Sequence, residues 1–340
     1  MGKNMDLKFK KPSKETQRAM SKVAGGEDNQ NYFTLAEEKL AKMTNHKSAK
    51  LVNSGNSAIL SAMNSIDGAI LIPDQGGWNG FKQMAKFLNK DLITVKTNKG
   101  LMDLDNLNES IISSSENNII DLDDENNKSA IFLTSFAAYT AEQDLKAICD
   151  FAHKNNLLVV EDASGAIGDY ENNLANGNYS DVIIGSTGSP KIVNVEDGGF
   201  ITTNDDSLFE KTNLLLKTSK TTNITACGIY NELDFAKENL KKTVGACTYL
   251  KESIEEKTDF NVFHKDKRGI NVIIATEDSK SLSYKLRQEF RLDSHGMITK
   301  CPNYNRLKEK AVALEIKNLD ISCLNMNNLD EIINILKNNS

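Results

Sequence analysis

The chain has 340 residues, of which 39% are hydrophobic and 26% are charged, and it carries a net charge of −6. This length suits one large domain with a smaller one, and the composition is ordinary for a globular protein. Lysines and carboxylates are interspersed, so the chain lacks the basic face of a protein that binds bulk nucleic acid. No apolar run approaches the ~18 residues of a membrane-spanning helix, and the basic residues 1–11 have no apolar h-region. We therefore expect a cytoplasmic protein that does not bind membranes.

The cysteines and histidines indicate neither a disulfide framework nor a metal centre. The five cysteines are scattered and contain no C-x-x-C pair: Cys149, Cys227, Cys247, Cys301 and Cys323. Most are interpreted as small buried hydrophobic residues, and only Cys227 and Cys301, beside a glycine and a proline, are candidate reactive thiols. The four histidines have no metal-ligand spacing: His46, His153, His264 and His295. We predict no metal site.

The first part of the chain predicts helices and then a candidate phosphate-binding turn. Residues 13–43 contain two helical segments around residues 25–32, and a strand follows at 49–53. This strand leads into a turn of small polar residues: Ser54, Gly55, Asn56 and Ser57. The helical apolar spacing of residues 58–66 places the turn at the positive end of a helix, where backbone N–H groups suit a phosphate. Any helix N-cap uses the same residue types, so an ordinary cap is the alternative.

The only tryptophan follows the next predicted strand. Residues 69–73 form an apolar run that ends in a glycine-rich loop containing Trp78. The indole either caps the edge of the core or lies flat on a cofactor ring, and the sequence leaves both readings open. A helix at 81–88 and a strand at 92–95 follow. The Ser-, Asn- and acid-rich residues 114–128 predict a mobile surface loop.

Short apolar strands alternate with helices up to residue 203, which predicts a mostly parallel sheet with helices on both faces. The later segments of this pattern are strands at 130–134, 157–160, 181–185 and 199–203, with a helix at 142–154. Ligands of such sheets bind beyond the carboxyl ends of the strands. The residues just past strand ends are therefore expected to share one site: Ser54 to Ser57, Trp78, Ser135, Asp162 and Lys191.

Lys191 is the central residue of this predicted site. A lysine in a loop is usually a solvated surface residue. Here Lys191 follows a buried strand, has the hydroxyl groups of Ser186, Thr187 and Ser189 beside it, and lies one strand after Asp162. Pyridoxal 5′-phosphate (PLP) chemistry needs such a pair, because a lysine binds the cofactor aldehyde as a Schiff base and an acid pairs with the ring nitrogen.

The pattern changes after residue 203 and predicts a second, smaller α/β domain. The predicted segments after residue 203 are helices at 207–217, 231–257, 279–290 and 329–336, and strands at 269–276 and 311–316. We therefore predict three parts: a helical N-terminal arm (residues 1–45), a large PLP-binding domain (46–225), and a connecting helix with a small C-terminal domain (226–340).

Three segments resemble, in this order, the fold-type I PLP enzymes, and most closely the DegT/DnrJ/EryC1/StrS aminotransferase group, over residues 20–205. They are Ser54-Gly55-Asn56-Ser57-Ala58-Ile59, Glu161-Asp162-Ala163-Ser164-Gly165-Ala166-Ile167-Gly168, and Ser186 to Lys191 followed by Gly198-Gly199. The resemblance implies PLP as the cofactor. It also implies a large domain with a mostly parallel seven-stranded sheet flanked by helices, and a small C-terminal α/β domain.

The resemblance assigns roles to individual residues. Lys191 would form the internal aldimine with PLP and then move the proton between the substrate Cα and the cofactor C4′. Asp162 would keep the pyridine nitrogen protonated, and Trp78 would stack on the ring. The turn and Ser186 would hold the phosphate. The cofactor-binding residues implied besides these three are Gly55, Asn56, Ser57, Ser135, Ser164 and Ser186.

The implied activity is an aminotransferase that moves an amino group from an amino-acid donor to a carbonyl acceptor, in a homodimer with active sites at the subunit interface. Two departures stand out: a glutamine of the group is Gly165 here, and its later Asn-Tyr-Arg segment is not recognisable. The alternatives are a PLP-dependent lyase or sulfur- or selenium-transfer enzyme, with Cys227 or Cys301 as the acceptor, and a non-catalytic PLP-fold protein. Arg306 and Lys317 flank the last strand, either as a carboxylate-binding group or as solvated surface charges.

Overall fold

The computed structural model describes residues 5–124, 127–294 and 296–340. The strands are β1 (Met5–Leu7), β2 (Ser48–Val52), β3 (Ile70–Pro73), β4 (Leu92–Val95), β5 (Thr97–Asn98), β6 (Leu101–Met102), β7 (Ala130–Thr134), β8 (Phe136–Ala137), β9 (Ala141–Glu142), β10 (Leu158–Asp162), β11 (Val182–Ser186), β12 (Gly199–Thr203), β13 (Val272–Ala275), β14 (Phe290–Leu292), β15 (Ile298–Cys301) and β16 (Ala311–Leu314). The helices are α1 (Lys14–Ala24), α2 (Tyr32–Thr44), α3 (Gly55–Ser65), α4 (Gly80–Phe87), α5 (Leu104–Glu116), α6 (Leu145–Lys154), α7 (Ser207–Lys211), α8 (Asn213–Thr218), α9 (Asn223–Glu232), α10 (Ala236–Lys257), α11 (Ser279–Glu289) and α12 (Met326–Lys337).

A central sheet of seven strands organises the larger part of the described chain. Its strand order is β2-β12-β11-β10-β7-β3-β4, with β12 antiparallel to both neighbours and the other pairs parallel. The prediction of a mostly parallel, seven-stranded α/β fold is confirmed. Strand β2 runs in the same direction as β11, because each is antiparallel to β12. The carboxyl ends of β2, β3, β7, β10 and β11 therefore meet along one edge of the sheet.

Strand β7 shows why this sheet needs helices on both faces. All five of its residues are buried. Ile131 and Leu133 pack into one apolar core, while Ala130 and Phe132 pack into another on the opposite face, as the two-residue period of a strand requires. Residues of α2, α5 and α6 complete the first core, and residues of α3 and α4 complete the second.

A smaller antiparallel sheet, β13-β16-β15, carries the C-terminal part of the chain. Apolar residues of α10, α11 and α12 pack with it into a separate core. The first described strand also belongs here, since β1 pairs in parallel with β14 and both Met5 and Leu7 are buried in this core. After β1 the chain leaves this core, and α1 packs against α9. We refer to residues 237–337 as the C-terminal unit.

Several elements are absent from the sequence-based predictions. Helix α5 is rich in Asn and Ser, which disfavour helix interiors, but Asp103 caps its start and Leu107 and Ile111 anchor it in the core. Helix α9 and the short strands β14 and β15 also lack a clear periodic signal. The loop predicted at 114–128 begins inside α5, and its residues 125 and 126 lie outside the described part.

Lys251 joins α10 to the large domain. Its buried ammonium donates hydrogen bonds to the backbone carbonyls of Thr140 (2.6 Å), His264 (2.9 Å) and Lys267 (2.8 Å). Burial lowers the pKa of Lys251 to about 8. The bond to Thr140 holds the hairpin of β8 and β9 against the C-terminal unit, and the other two bonds lie within that unit.

In residues 5–124, 127–294 and 296–340, no helix is both long enough and apolar enough to cross a bilayer. The same residues contain no cluster of three or more His, Cys, Asp or Glu that could hold a metal ion. His295 lies outside the described residues. All five cysteines are buried and unpaired with one another.

Candidate active site

A cavity of about 230 Å³ opens at the carboxyl ends of β10 and β11, beside the start of α3. Eight of the residues predicted from the sequence line it: Ser54, Gly55, Asn56, Trp78, Asp162, Ser164, Ser186 and Lys191. Tyr139 and Ser189 line it as well. The sheet therefore brings together residues that are up to 137 positions apart in the sequence, from Ser54 to Lys191.

The turn before α3 uses part of its hydrogen-bonding capacity on itself. Ser54 is the N-cap, and its hydroxyl oxygen accepts a hydrogen bond from the backbone N–H of Ser57 at 3.2 Å. The Ser57 hydroxyl in turn donates to Asn53 Oδ1 at 2.6 Å. Gly55 and Asn56 line the cavity, whereas Ser57 does not. A Cβ at Gly55 would lie 2.5 Å from Ser186 Cβ, so glycine allows the helix start to approach the end of β11.

Trp78 lines the cavity and is tied to this turn. Its indole Nε1 donates a hydrogen bond to Asn56 Oδ1 at 3.1 Å. The ring also packs on the apolar core formed by α3 and α4. The indole therefore covers the core edge, as one of the two readings predicts, and it also borders the cavity; its stacking on a cofactor ring stays a prediction.

We expect PLP to quench the fluorescence of the cofactor-free protein strongly, because the only tryptophan of the chain lies at the cavity. The measurement is a titration of the tryptophan emission with PLP. A matched control moves the fluorophore: in Trp78→Phe/Tyr284→Trp the indole stands on an exposed face of α11. Equal quenching in the two proteins would contradict binding beside Trp78.

Asp162 is a buried carboxylate at the end of β10 that faces the cavity. Its Oδ1 accepts hydrogen bonds from the backbone N–H (3.0 Å) and the hydroxyl (2.5 Å) of Ser164. Burial raises the pKa of Asp162, and the hydrogen bonds of Ser164 and the positive charge of Lys191 partly oppose this rise. A carboxylate held in this way would be stabilised by a cationic N–H in the cavity.

Lys191 extends into the cavity from the loop between β11 and β12. Its Nζ donates a hydrogen bond to Tyr139 Oη at 3.4 Å. Tyr139 lies in the three-residue loop between β8 and β9 and has a positive φ of 61°. A bulky residue rarely adopts this conformation unless its surroundings fix it. Tyr139 is absent from the sequence-based predictions, although it follows β7 by five residues and Ser135 by four, which is the signal that could indicate it.

Ser135 lies beneath the cavity and does not line it. Its hydroxyl donates to Glu161 Oε1 (2.7 Å) and to the backbone carbonyl of Asp162 (3.1 Å). Glu161 is fully buried and also accepts hydrogen bonds from Ala175 N and Ser180 Oγ. Burial raises the pKa of Glu161 to about 7. Ser135 and Glu161 thus form a polar support under the strand end that carries Asp162.

The structure also shows the surroundings of the two charged residues and the two cysteines that the sequence singled out after residue 203. The side chains of Arg306 and Lys317 are only 11% and 8% exposed, so the reading as solvated surface charges is wrong. Arg306 donates to both carboxylate oxygens of Glu315 (2.9 and 2.7 Å) and to a backbone carbonyl, so each nitrogen of its guanidinium already has an acceptor within the protein. Cys227 and Cys301 are buried, and burial raises the pKa of both thiols. Neither thiol lines the cavity.

Comparison with known proteins separates the chain into two matched parts. The model of the DegT/DnrJ/EryC1/StrS aminotransferase family matches residues 13–233, and the model of the MJ1341 family C-terminal domain matches residues 237–337. A GDP-perosamine synthase of Caulobacter vibrioides is 40% identical over 72 residues. That match spans 21% of this chain and 19% of the relative, which is far less than two thirds of its length.

Solved structures share the fold over nearly the whole chain at low sequence identity. A DegT DnrJ EryC1 StrS aminotransferase from Brucella abortus has a TM-score of 0.73 at 15% identity, covering 95% of this chain and 94% of the other. Helicobacter pylori PseC, an aminotransferase involved in the biosynthesis of pseudoaminic acid, has a TM-score of 0.75 at 16% identity, covering 98% and 99%. Serine palmitoyltransferase of Sphingomonas wittichii has a TM-score of 0.76 at 10% identity, covering 99% and 87%.

These likenesses place the fold among the fold-type I PLP enzymes. The aminotransferase family model extends over more than half of the chain and includes every cavity-lining residue named above. On this match the chain belongs to the DegT/DnrJ/EryC1/StrS aminotransferase family.

Proposed function

We propose that the chain is a PLP-dependent aminotransferase that transfers an amino group from an amino-acid donor to a carbonyl acceptor. The observation that carries the proposal is one cavity in which Lys191 and the buried Asp162 lie beside the start of α3. An amine for the cofactor aldehyde, an anion for its ring nitrogen and a helix N-terminus for its phosphate are the three features PLP needs. The family match supports the same reading.

The residues present fit the cofactor. Burial raises the pKa of Asp162, and a cationic ring nitrogen beside it would offset the cost of burying the carboxylate. Among the described residues, the buried hydroxyl of Ser189 has no hydrogen-bond partner. Ser189 lines the cavity together with Ser186 and Gly55, where a phosphate would accept a hydrogen bond from this hydroxyl. We propose that Gly55, Asn56, Ser186 and Ser189 hold the phosphate. Ser57 contributes through the cap, and Ser135 through Glu161.

The residues of the chain then have distinct tasks. PLP, when bound, supplies an aromatic ring that accepts electrons from the substrate Cα. We propose that Lys191 takes the proton from the substrate Cα and returns it to the cofactor side, since its amine projects into the cavity. Asp162 keeps the ring nitrogen protonated, with Ser164 orienting its carboxylate, and Trp78 covers the ring and excludes water.

No observation favours the alternatives strongly enough to replace this proposal. A sulfur-transfer reaction would need an accessible thiol, and the thiols of Cys227 and Cys301 are buried away from the cavity. A lyase would use the same Lys191 and Asp162, so its products distinguish it. A non-catalytic protein has no need for a buried carboxylate facing a lysine across a cavity.

We further propose a cytoplasmic homodimer with active sites at the subunit interface. The five unpaired cysteines support a reducing compartment. The family resemblance supports the dimer, and light scattering of the purified chain tests it. A monomeric mass at micromolar concentration would contradict it.

The decisive experiment uses the purified wild-type chain with PLP. We expect a visible absorbance band, a borohydride-stable mass increase on the peptide containing Lys191, and loss of the band on adding an amino donor such as glutamate. Release of pyruvate, sulfide or glycine would identify a lyase instead. A colourless chain that gains no mass would overturn the proposed function.

A further inference from the structure

The C-terminal unit forms no part of the described cavity wall. Every described residue that lines the cavity lies at or before Lys191 in the sequence, whereas the second family match begins at residue 237. The C-terminal unit nevertheless reaches Lys191 indirectly, through Tyr139. The contacts around this tyrosine come from three directions and hold both its backbone and its ring.

The backbone around Tyr139 is fixed by the C-terminal unit. The carbonyl of Tyr139 accepts hydrogen bonds from the backbone N–H groups of Ile270 (2.8 Å) and Asn271 (2.9 Å). The next carbonyl, that of Thr140, accepts from Lys251 Nζ at 2.6 Å. These bonds explain how a tyrosine stays at a φ of 61°.

The ring of Tyr139 is held on a second set of contacts. The guanidinium carbon of Arg306 lies 4.7 Å from the ring centroid, and Lys317 Nζ lies 5.1 Å from it. Glu315 fixes Arg306 through two hydrogen bonds and is itself held by Asn271 Nδ2 at 2.7 Å. The paired hydrogen bonds to Glu315 therefore fix the guanidinium of Arg306 beside the tyrosine ring.

The third contact of Tyr139 is with the large domain. A Cβ at Gly165 would lie 3.3 Å from the tyrosine ring, so the ring occupies the space that a side chain there would need. The hydroxyl of Tyr139 accepts a hydrogen bond from Lys191 Nζ at 3.4 Å. Among the described residues, this is the hydrogen bond that the amine of Lys191 makes. A flexible lysine thus bonds to a tyrosine whose backbone and ring are both held by neighbouring residues.

We propose that Tyr139 is a positioning residue through which the C-terminal unit fixes the amine of Lys191. The proposal rests on the proposed function, because it concerns an amine that must meet the cofactor and the substrate Cα in a defined place. Holding that amine in advance removes the cost of ordering a four-carbon side chain at each step. Arg306 and Glu315, which do not line the cavity, then act on Lys191 through the ring.

The first test is Tyr139→Phe, which removes the hydroxyl and keeps the ring on Arg306. PLP uptake by the cofactor-free full chain is followed as the growth of visible absorbance after rapid mixing. We expect the rate constant of uptake to fall about tenfold, the size expected for one lost hydrogen bond, with the same final absorbance and melting temperature. Tyr249→Phe is the matched control, because its hydroxyl binds Asp330 elsewhere in the C-terminal unit, and it should leave uptake unchanged.

The second test asks whether Arg306 acts through the same hydroxyl. We expect Arg306→Lys to slow uptake as well, because lysine cannot make the paired hydrogen bonds to Glu315. In the Tyr139→Phe background it should add little, since the hydroxyl it positions is gone. If Arg306→Lys does not fold, Glu315→Gln replaces it. With an amino donor, Tyr139→Phe should lower kcat and leave KM unchanged.

The outcomes separate this inference from the function beneath it. Equal uptake rates in wild type and Tyr139→Phe, or effects of the two substitutions that multiply, would overturn the role of Tyr139 while the wild type still binds PLP. A wild type that takes up no PLP would overturn the proposed function, and the inference with it.

Discussion

Lys191→Ala is expected to abolish the visible absorbance band of the PLP-bound protein and to lower amino transfer by about 10⁴-fold or more. The reason is that one amine has two tasks, bonding the cofactor and moving the substrate proton. No other lysine among the described residues lines the cavity, so no neighbouring amine can take over either task. The measurements are the absorbance spectrum, the mass of the borohydride-treated chain and the half-reaction with an amino donor.

Two controls distinguish the loss of the amine from other effects of Lys191→Ala. Lys191→Arg keeps a positive charge opposite Asp162 but cannot bond the aldehyde, so it should also lack the band. Lys146→Ala removes an exposed lysine that pairs with Asp150 on the surface of α6, and it should behave as wild type. A normal band and a normal reaction in Lys191→Ala would overturn the assignment of Lys191.

Asp162→Asn is expected to weaken PLP binding by about 100-fold or more, since it removes the anion of a buried charge pair. In the cofactor-free protein we expect the same substitution to be stabilising. In the cofactor-free protein the buried carboxylate lacks the protonated ring nitrogen of PLP as a partner. An amide at this position can still accept the hydrogen bonds of Ser164. The measurements are the equilibrium affinity for PLP and the free energy of unfolding in urea.

The free energy of unfolding of the cofactor-free protein should depend on pH through Asp162. Because the pKa of Asp162 is raised in the folded protein, the folded chain binds a proton that the unfolded chain has already lost. Its contribution to stability is therefore present at low pH and is lost as pH rises from about 4 through the raised value. Asp162→Asn should remove this part of the slope in the cofactor-free protein.

Glu161→Gln is the matched control for Asp162→Asn. Glu161 is the adjacent buried carboxylate, with its pKa raised to about 7, but it bonds Ser135, Ala175 and Ser180 away from the cavity. It should change the unfolding free energy and its pH dependence, and leave the affinity for PLP close to that of wild type. Equal losses of affinity in the two variants would contradict the assignment of Asp162 to the cofactor.

The sequence was informative where local pattern and chemistry coincide. The central strands are short apolar runs between helices, and a residue just past a strand end lies at the ligand edge whatever its neighbours are. Lys191, Asp162 and Trp78 were found in this way. Ser135 satisfied the same rule but points beneath the cavity, because the hydrogen bonds of Glu161 hold its hydroxyl there. The rule predicts the edge of the sheet and leaves the direction of a side chain undetermined.

Tertiary contacts determine what the sequence could not indicate. Tyr139 reaches Lys191 only because Ile270, Asn271 and Arg306, more than 130 residues later, hold it in an unusual backbone conformation. The burial of Lys317 also depends on residues distant in the sequence, and its immediate sequence neighbours give no sign of it. Strands β1 and β14 have three residues each, and their pairing follows from a core that both help to cover.

The pairing of β1 with β14 limits how the chain can be divided. Residues 5–7 complete a sheet and a core whose other members follow residue 236, so a fragment cut at that point would expose an unpaired strand and the apolar surface that Met5 and Leu7 cover. A recombinant C-terminal piece would be expected to associate with itself, and a synthetic peptide of residues 5–12 should restore its solubility. A circular permutant with these residues fused after residue 340 would let β1 pair with β14 and cover the C-terminal core within one polypeptide.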